Sequence, residues 1–397
     1  MPNFDERAVK RACKLLYIWK SPRLACRRGR VCSVAGLSVP FPAAAMFHNI
    51  WSHKERVMVF LKLPKIAMAM AAGIFAVALQ AAEPLGKAEV ESALNAAYAK
   101  YKTLQEGANA DYIPALAKVD PDIYGIALVT PDGKIYTTGD VKSEVSIQSI
   151  SKVFTMALVM EESGPGSIYD NMGVDATGQV FNSIVAVEQY KGAEMNPLVN
   201  AGAITATSMV KGSSREEIWE KILQYYNDFA GRELSVNKAV FDSEAATNQR
   251  NQAIAQLMYA YGHIKDNPAR ATDIYTEQCS VNVNAKDLAV MAVTLANGGR
   301  NPLTGKQVMK NENVAEVLAV MATAGLYDDS GKWLYHTGLP AKSGVGGGII
   351  AVSPGRFGIA VISPPLDPAG NSVRAQKAIA DISNALGGNP YEVTPAR

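Results

Sequence analysis

The sequence predicts an α+β fold in which one antiparallel sheet is built from both ends of residues 83–397 and a helical lobe is inserted between them. Two strand-like hairpin patterns, at 123–138 and 348–362, lie near opposite ends of that stretch. An isolated hairpin is marginal in water, so two of them close most simply into a single sheet. Amphipathic helical patterns precede the first hairpin and follow the second, and 164–345 between them reads as mostly helical. The terminal helices then cover one face of the sheet. With 397 residues and 48% hydrophobic content, the chain can bury one large core or two modest ones.

The first 57 residues do not belong to this pattern. They carry eleven Lys and Arg against three acids, a charge of +8, so the overall +2 leaves −6 on the other 340 residues. They show no sustained periodicity and contain Pro22, Pro40 and Pro42, and they read as a disordered basic extension or an upstream mis-start. From Met58, Lys62 and Lys65 precede a 14-residue apolar run, Ile66 to Leu79, followed by Gln80-Ala81-Ala82. Such a run is short for a membrane span but suits a secretory signal cleaved after Ala81 or Ala82. Residues 58–82 are therefore read as a signal-peptide-like segment and 83–397 as the folded domain. The protein is expected in the periplasm or outside the cell if the segment is cleaved, and in the cytoplasm otherwise. No stable membrane insertion is expected after processing.

Charge and composition exclude several classes of function. A mildly acidic body does not suit nucleic acid. Cys279 is the single cysteine of the body, and His263 and His336 are its only histidines. That leaves no intrachain disulfide and no clustered metal ligands, so no metal and no cofactor are expected. Either histidine could still serve as the base of a catalytic triad.

In order, Gly86 to Lys102 forms an amphipathic helix with Val90, Leu94, Ala97 and Tyr101 on one face. Residues 123–129 and 134–138 form a hairpin across Thr130-Pro131-Asp132-Gly133, where Pro-Asp-Gly is turn chemistry. An apolar helix after Gln148 stops at Ser163-Gly164-Pro165. Ser214-x-x-Glu217 is a capping box opening a helix through Phe229. Further helices span 251–261, 284–297 and 311–324. The last hairpin, 348–352 with 356–362, turns at Ser353-Pro354-Gly355, and a final helix spans 372–386.

Two motifs carry the chemistry. In Gln148-Ser149-Ile150-Ser151-Lys152 the serine and lysine are three apart, one helical turn, so their heads can meet. Lys152 lies on a helix that is apolar almost all round, where burial lowers an amine's pKa towards the range of a general base. A serine beside such a lysine has the parts of an acyl-transfer nucleophile. The second motif, Lys342-Ser343-Gly344-Val345-Gly346-Gly347-Gly348, stands just before the last hairpin. A Lys-Ser/Thr-Gly stretch is the partner of Ser-x-x-Lys in penicillin-recognising serine enzymes. The serine begins the helical insert and so lies at the cleft between sheet and lobe.

Asn196-Pro197-Leu198-Val199-Asn200-Ala201-Gly202-Ala203, Glu244-x6-Asn251, Tyr275-Thr276-Glu277-Gln278-Cys279-Ser280 and Gly325-Leu326-Tyr327-Asp328-Asp329-Ser330-Gly331 stand in order between and around these two. Together the six motifs closely resemble the serine-dependent glutaminase family over about residues 86–390. The resemblance implies a β-lactamase/transpeptidase-like fold, hydrolysis of L-glutamine to L-glutamate and ammonia, and a homotetramer. It implies Ser149 as nucleophile and Lys152 as its base, with the backbone N–H groups of Ser149 and Val345 as the oxyanion hole. Asn200, Glu244, Asn251, Tyr275, Tyr327 and Val345 would contact substrate, Gln148 and Tyr112 would line the pocket, and Tyr327 or Tyr275 would relay protons. These types suit a zwitterion: a carboxylate such as Glu244 matches an α-ammonium, and amide and hydroxyl donors match an α-carboxylate. A penicillin-binding or β-lactamase-type acyl transferase is the competing reading, but it needs no acid for an α-ammonium. A sensor that binds an amino acid without turnover is another.

Overall fold

The computed structural model describes residues 85–393; the basic extension and the signal-like segment lie outside them. In chain order the elements are α1 (Lys87–Tyr101), a short 3-10 turn (Leu116–Lys118), β1 (Gly125–Val129), β2 (Ile135–Gly139), β3 (Val145–Ser146), the 3-10 turn Gln148–Ile150, α2 (Ser151–Ser163), α3 (Gly166–Met172), α4 (Ile184–Tyr190), α5 (Asn200–Met209), α6 (Arg215–Ala230), α7 (Lys238–Ala245), α8 (Gln249–Ala260), α9 (Pro268–Cys279), β4 (Asn282–Val283), α10 (Ala285–Ala296), α11 (Asn311–Ala324), a third 3-10 turn (Tyr327–Asp329), α12 (Ser330–Thr337), β5 (Ala341–Gly344), β6 (Gly348–Ser353), β7 (Phe357–Ile362) and α13 (Val373–Ala385).

The sheet has the order β2-β1-β7-β6-β5, with every neighbour antiparallel. Both ends of the domain do supply it: Gly125 of β1 pairs with Ile362 of β7. One face packs on α1 and α13 through Val90, Leu94, Ile359, Val361, Ile379 and Ile382. The other face carries the larger core, where Ala127, Val129, Ile350 and Ile362 meet α2, α6, α10 and α11. Helix α10 crosses very close to the sheet. A Cβ on Gly358 would stand 2.1 Å from the Val293 nitrogen, so only glycine fits there.

The order of elements follows the sequence reading, with instructive differences. Lys342-Ser343-Gly344 does not merely precede the last hairpin; it is the edge strand β5. Val145–Ser146 pairs with Asn282–Val283 as a separate two-stranded ribbon at the start of the insert. At α6 only half of the expected capping box forms. Ser214 accepts from the Glu217 N–H at 3.1 Å, but the Glu217 carboxylate turns to the Ser213 N–H and hydroxyl at 2.8 and 2.6 Å. The reciprocal box forms instead between Asn284 and Asp287 at the start of α10.

Candidate active site

The site begins with a strained residue. Gln148, the first residue of the 3-10 turn, has φ 48°, a left-handed conformation costing a side-chain-bearing residue roughly 1–2 kcal/mol. Its amide compensates by donating to Ser146 Oγ at 3.2 Å and to Glu244 Oε2 at 3.3 Å. The next residue, Ser149, is 6% exposed. Ser151 to Met160 of α2 are buried on every side, which places Lys152 in the core as its apolar neighbours demand.

Two polar groupings meet here. In the first, the Lys152 amine donates to Asn200 Oδ1 at 2.6 Å. Tyr275 donates to the same oxygen at 3.2 Å, and Asn200 Nδ2 donates to Asn251 Oδ1 at 2.8 Å. Asn200 opens α5, Asn251 stands in the first turn of α8 and Tyr275 lies on α9, so three helices of the lobe converge on one amide. In the second grouping Ser149 lies near enough to the Tyr327 hydroxyl to lower the pKa of that phenol. Tyr327 Oη also donates to the Ser343 carbonyl at 3.3 Å.

The sequence suggested that the Ser149 and Lys152 heads would meet. Among the described residues the lysine's hydrogen bond goes to Asn200 instead. Ser149 belongs to the 3-10 turn and Lys152 to the α-helix after it, so the i, i+3 relation of a continuous helix is offset.

Burial sets the protonation of each group. It lowers the pKa of Lys152 to about 8, with Cys279 and Glu244 opposing the drop. It raises Glu244 to about 7 against the Gln148 hydrogen bond and the Lys152 charge. Tyr327 rises to about 12, again through burial, tempered by its bonds to Ser149 and Ser343. Tyr275 is pushed well above the usual phenol range by burial, with the Cys279 and Glu244 charges adding to it. At neutral pH both tyrosines therefore keep their protons and can donate hydrogen bonds, while the Lys152 amine is the group whose pKa of about 8 lies near neutrality.

Val345 sits in the turn between β5 and β6 and is 5% exposed. Neither its backbone N–H nor that of Ser149 has an acceptor among the described residues. The adjacent glycine sets the approach of the two segments: a Cβ on Gly346 would lie 2.3 Å from the Ser146 carbonyl oxygen. Tyr112 is half exposed, with its ring at the rim. Its hydroxyl is desolvated and near Tyr327 and Glu244, which raises its pKa well above the usual value. Beyond Tyr112 and Val345 opens a cavity of about 700 Å³, also lined by Asp111, Phe181, Asp367 and Gly370.

All ten residues singled out from the sequence thus fall around this cleft. His263 does not join them: its ring nitrogens meet the carbonyls of Asn171 and Lys191 at 2.7 and 3.1 Å. His336 is exposed beside Tyr335. Sequence reasoning missed the place of Lys342 as a side chain. Its amine is fully buried, donates to the Ser343 carbonyl at 2.7 Å and stands 4.1 Å from the Tyr327 ring centroid. A lone charged residue in an apolar strand was the available signal.

Comparison with known proteins gives a consistent result. A family model described as Glutaminase matches residues 107–391. A Glutaminase of Colwellia psychrerythraea is 56% identical over 302 residues, 76% of this chain and 97% of that protein. One of Brucella canis is 51% identical over 302 residues, 76% of this chain and 95% of its own. Among solved structures, the probable glutaminase ybaS is 45% identical with a TM-score of 0.77, covering 78% of this chain and 100% of that one. A probable glutaminase from Bacillus subtilis complexed with 6-diazo-5-oxo-L-norleucine is 28% identical with a TM-score of 0.66, covering 77% and 94%.

Proposed function

As the chain belongs to the glutaminase family and hydrolyses L-glutamine to L-glutamate and ammonia, we propose that it does so through an acyl-enzyme on Ser149. Ser149 Oγ attacks the side-chain amide carbon while its proton passes to the neutral amine of Lys152. The Ser149 and Val345 N–H groups receive the developing oxyanion; one such donor is worth about 10²–10³ in rate. As the C–N bond breaks, Tyr327 gives its proton to the leaving nitrogen and regains one from the Lys152 ammonium. Water then adds to the ester, Lys152 takes its proton and returns it to Ser149 Oγ, and glutamate leaves. Glu244 holds the α-ammonium, Asn200, Asn251 and Tyr275 face the α-carboxylate, and Gln148 and Tyr112 close the pocket.

One observation supports this reading: among the described residues the N–H groups of Ser149 and Val345 have no acceptor, and a buried amine with pKa about 8 stands one helical turn after the serine. Movement of the amine from Asn200 to Ser149 on substrate binding is in keeping with catalytic hydrogen bonds that tighten only in the complex. The β-lactamase-type alternative is disfavoured by Glu244, a buried carboxylate facing the cleft through Gln148. The test is a paired assay of ammonia release from L-glutamine and opening of a chromogenic β-lactam. The wild type is expected to do the first only and Ser149→Ala to do neither; an active Ser149→Ala variant overturns the acyl-enzyme.

We also propose that residues 83–397 act as a homotetramer, exported by the segment after Met58. Exposed Val185, Tyr190, Tyr259 and Tyr261 on α4 and at the end of α8 support self-association. No helix among the described residues is long and apolar enough to cross a membrane. Light scattering and amino-terminal sequencing of native protein test these two statements.

A further inference from the structure

Two lysines are fully buried among the described residues, Lys152 and Lys342, and the scheme above gives a task to only one. Burying an ammonium costs several kcal/mol without compensation, so a second buried amine in the same cleft needs a reason. Desolvation, helped by the Lys152 charge, holds Lys342 well below the usual lysine pKa. The amine donates a hydrogen bond and at the same time rests against an aromatic ring.

Its contacts all lead to Tyr327. The Ser343 carbonyl accepts from Lys342 Nζ at 2.7 Å and from Tyr327 Oη at 3.3 Å, and the same amine lies 4.1 Å from the Tyr327 ring centroid. The lysine therefore holds the carbonyl firmly and the tyrosine holds it weakly, since a 3.3 Å bond between oxygens is well beyond the optimum. Of the two hydrogens given to that carbonyl, the phenolic one is the less tightly held. The backbone requires such support, because Tyr327 has φ 57°, another strained left-handed residue. Phe181, with its ring centroid 4.8 Å from that of Tyr327, and Ser330, donating to the Tyr327 carbonyl at 2.7 Å, supply the rest.

We propose that Lys342 is a positioning residue for proton transfer: by occupying the Ser343 carbonyl and bracing the Tyr327 ring, it keeps the phenolic oxygen beside Ser149 and its hydrogen available to the leaving nitrogen. This rests on the acyl-enzyme reading. No bond to Lys342 is made or broken in the reaction; the proton delivered is that of Tyr327.

A double-mutant cycle tests it. Lys342→Met, of similar length but without a donor, is expected to lower kcat about 30-fold with KM for glutamine within about threefold. In a Tyr327→Phe background the same substitution is expected to cost less than about threefold more, because both changes remove one function. Lys342→Gln, which keeps an N–H donor, is expected to recover part of kcat. Independent losses that multiply overturn the proposal, as does a Lys342→Met variant with raised KM and unchanged kcat, which would place Lys342 on the substrate. Should Lys342→Met not fold, the cycle is run with Lys342→Gln. An active Ser149→Ala variant defeats the acyl-enzyme itself, whereas an inactive one with additive Lys342 and Tyr327 effects defeats only the positioning role.

Discussion

Lys152 Nζ and Asn200 Oδ1 lie 2.6 Å apart, and this contact joins the helix that follows the nucleophile to the lobe that would receive the substrate's α-carboxylate. Lys152, the proposed base, is thus held by a residue proposed to bind substrate. On that proposal, substrate capture and release of the base are one event.

Replacing Asn200 with leucine removes the partner of the buried amine and a proposed donor to substrate together. The expected loss in kcat/KM is about 10³-fold, roughly 4 kcal/mol of transition-state stabilisation, with KM and kcat both affected. Steady-state kinetics in which only KM moves would show that Asn200 has no hold on the base.

Activity is expected to rise with pH between about 6 and 8. Glu244 must lose its proton near 7 to pair with an ammonium, and Lys152 must lose its own near 8 to act as base. In Glu244→Gln the lower of these inflections should vanish from the kcat/KM profile while KM rises at least about tenfold. An unchanged profile would place the α-ammonium elsewhere.

The same carboxylate should destabilise the empty protein at neutral pH. Its folded pKa of about 7 lies above the unfolded value of 4.5. The unfolded chain therefore binds fewer protons between these values, and stability from this group, intact below 4.5, is lost as pH rises through 7. Glu244→Gln is expected to raise the melting temperature by several degrees at pH 8, on the order of 3 kcal/mol at most, and to change it little at pH 4. Calorimetry at the two pH values decides.

Gly346→Ala places a methyl against the Ser146 carbonyl and must push the Val345 N–H away from Ser149. A fall in kcat of about 10²-fold is expected with KM nearly kept. If the fall is smaller than threefold in assays on folded protein, Val345 does not hold the oxyanion.

How far the sequence spoke depended on periodicity. Helices α1 and α13 were legible from one apolar face at helical spacing, and the hairpins from short apolar runs flanking turn residues, since β1, β6 and β7 are buried throughout. Helix α5 was not, because Asn200-Ala201-Gly202-Ala203-Ile204-Thr205 is buried all round and carries no stripe. Its Gly202 abuts the Met195 and Asn196 carbonyls, each 2.0 Å from where a Cβ would stand. Helices α3, α4, α7 and α12 run for only seven or eight residues, too short to build a clear stripe, and α9 was not singled out either. The members of the cleft were readable as residue types, but their pairing was not. Lys152 with Asn200, and Lys342 with Tyr327, meet only through packing of separate elements.

Strand β1 has β2 along one edge, but its other neighbour is β7, so the register of Gly125 with Ile362 cannot form until the last hairpin has been made. During synthesis that edge of β1 waits without a mate, and the sheet closes only when its final strands arrive.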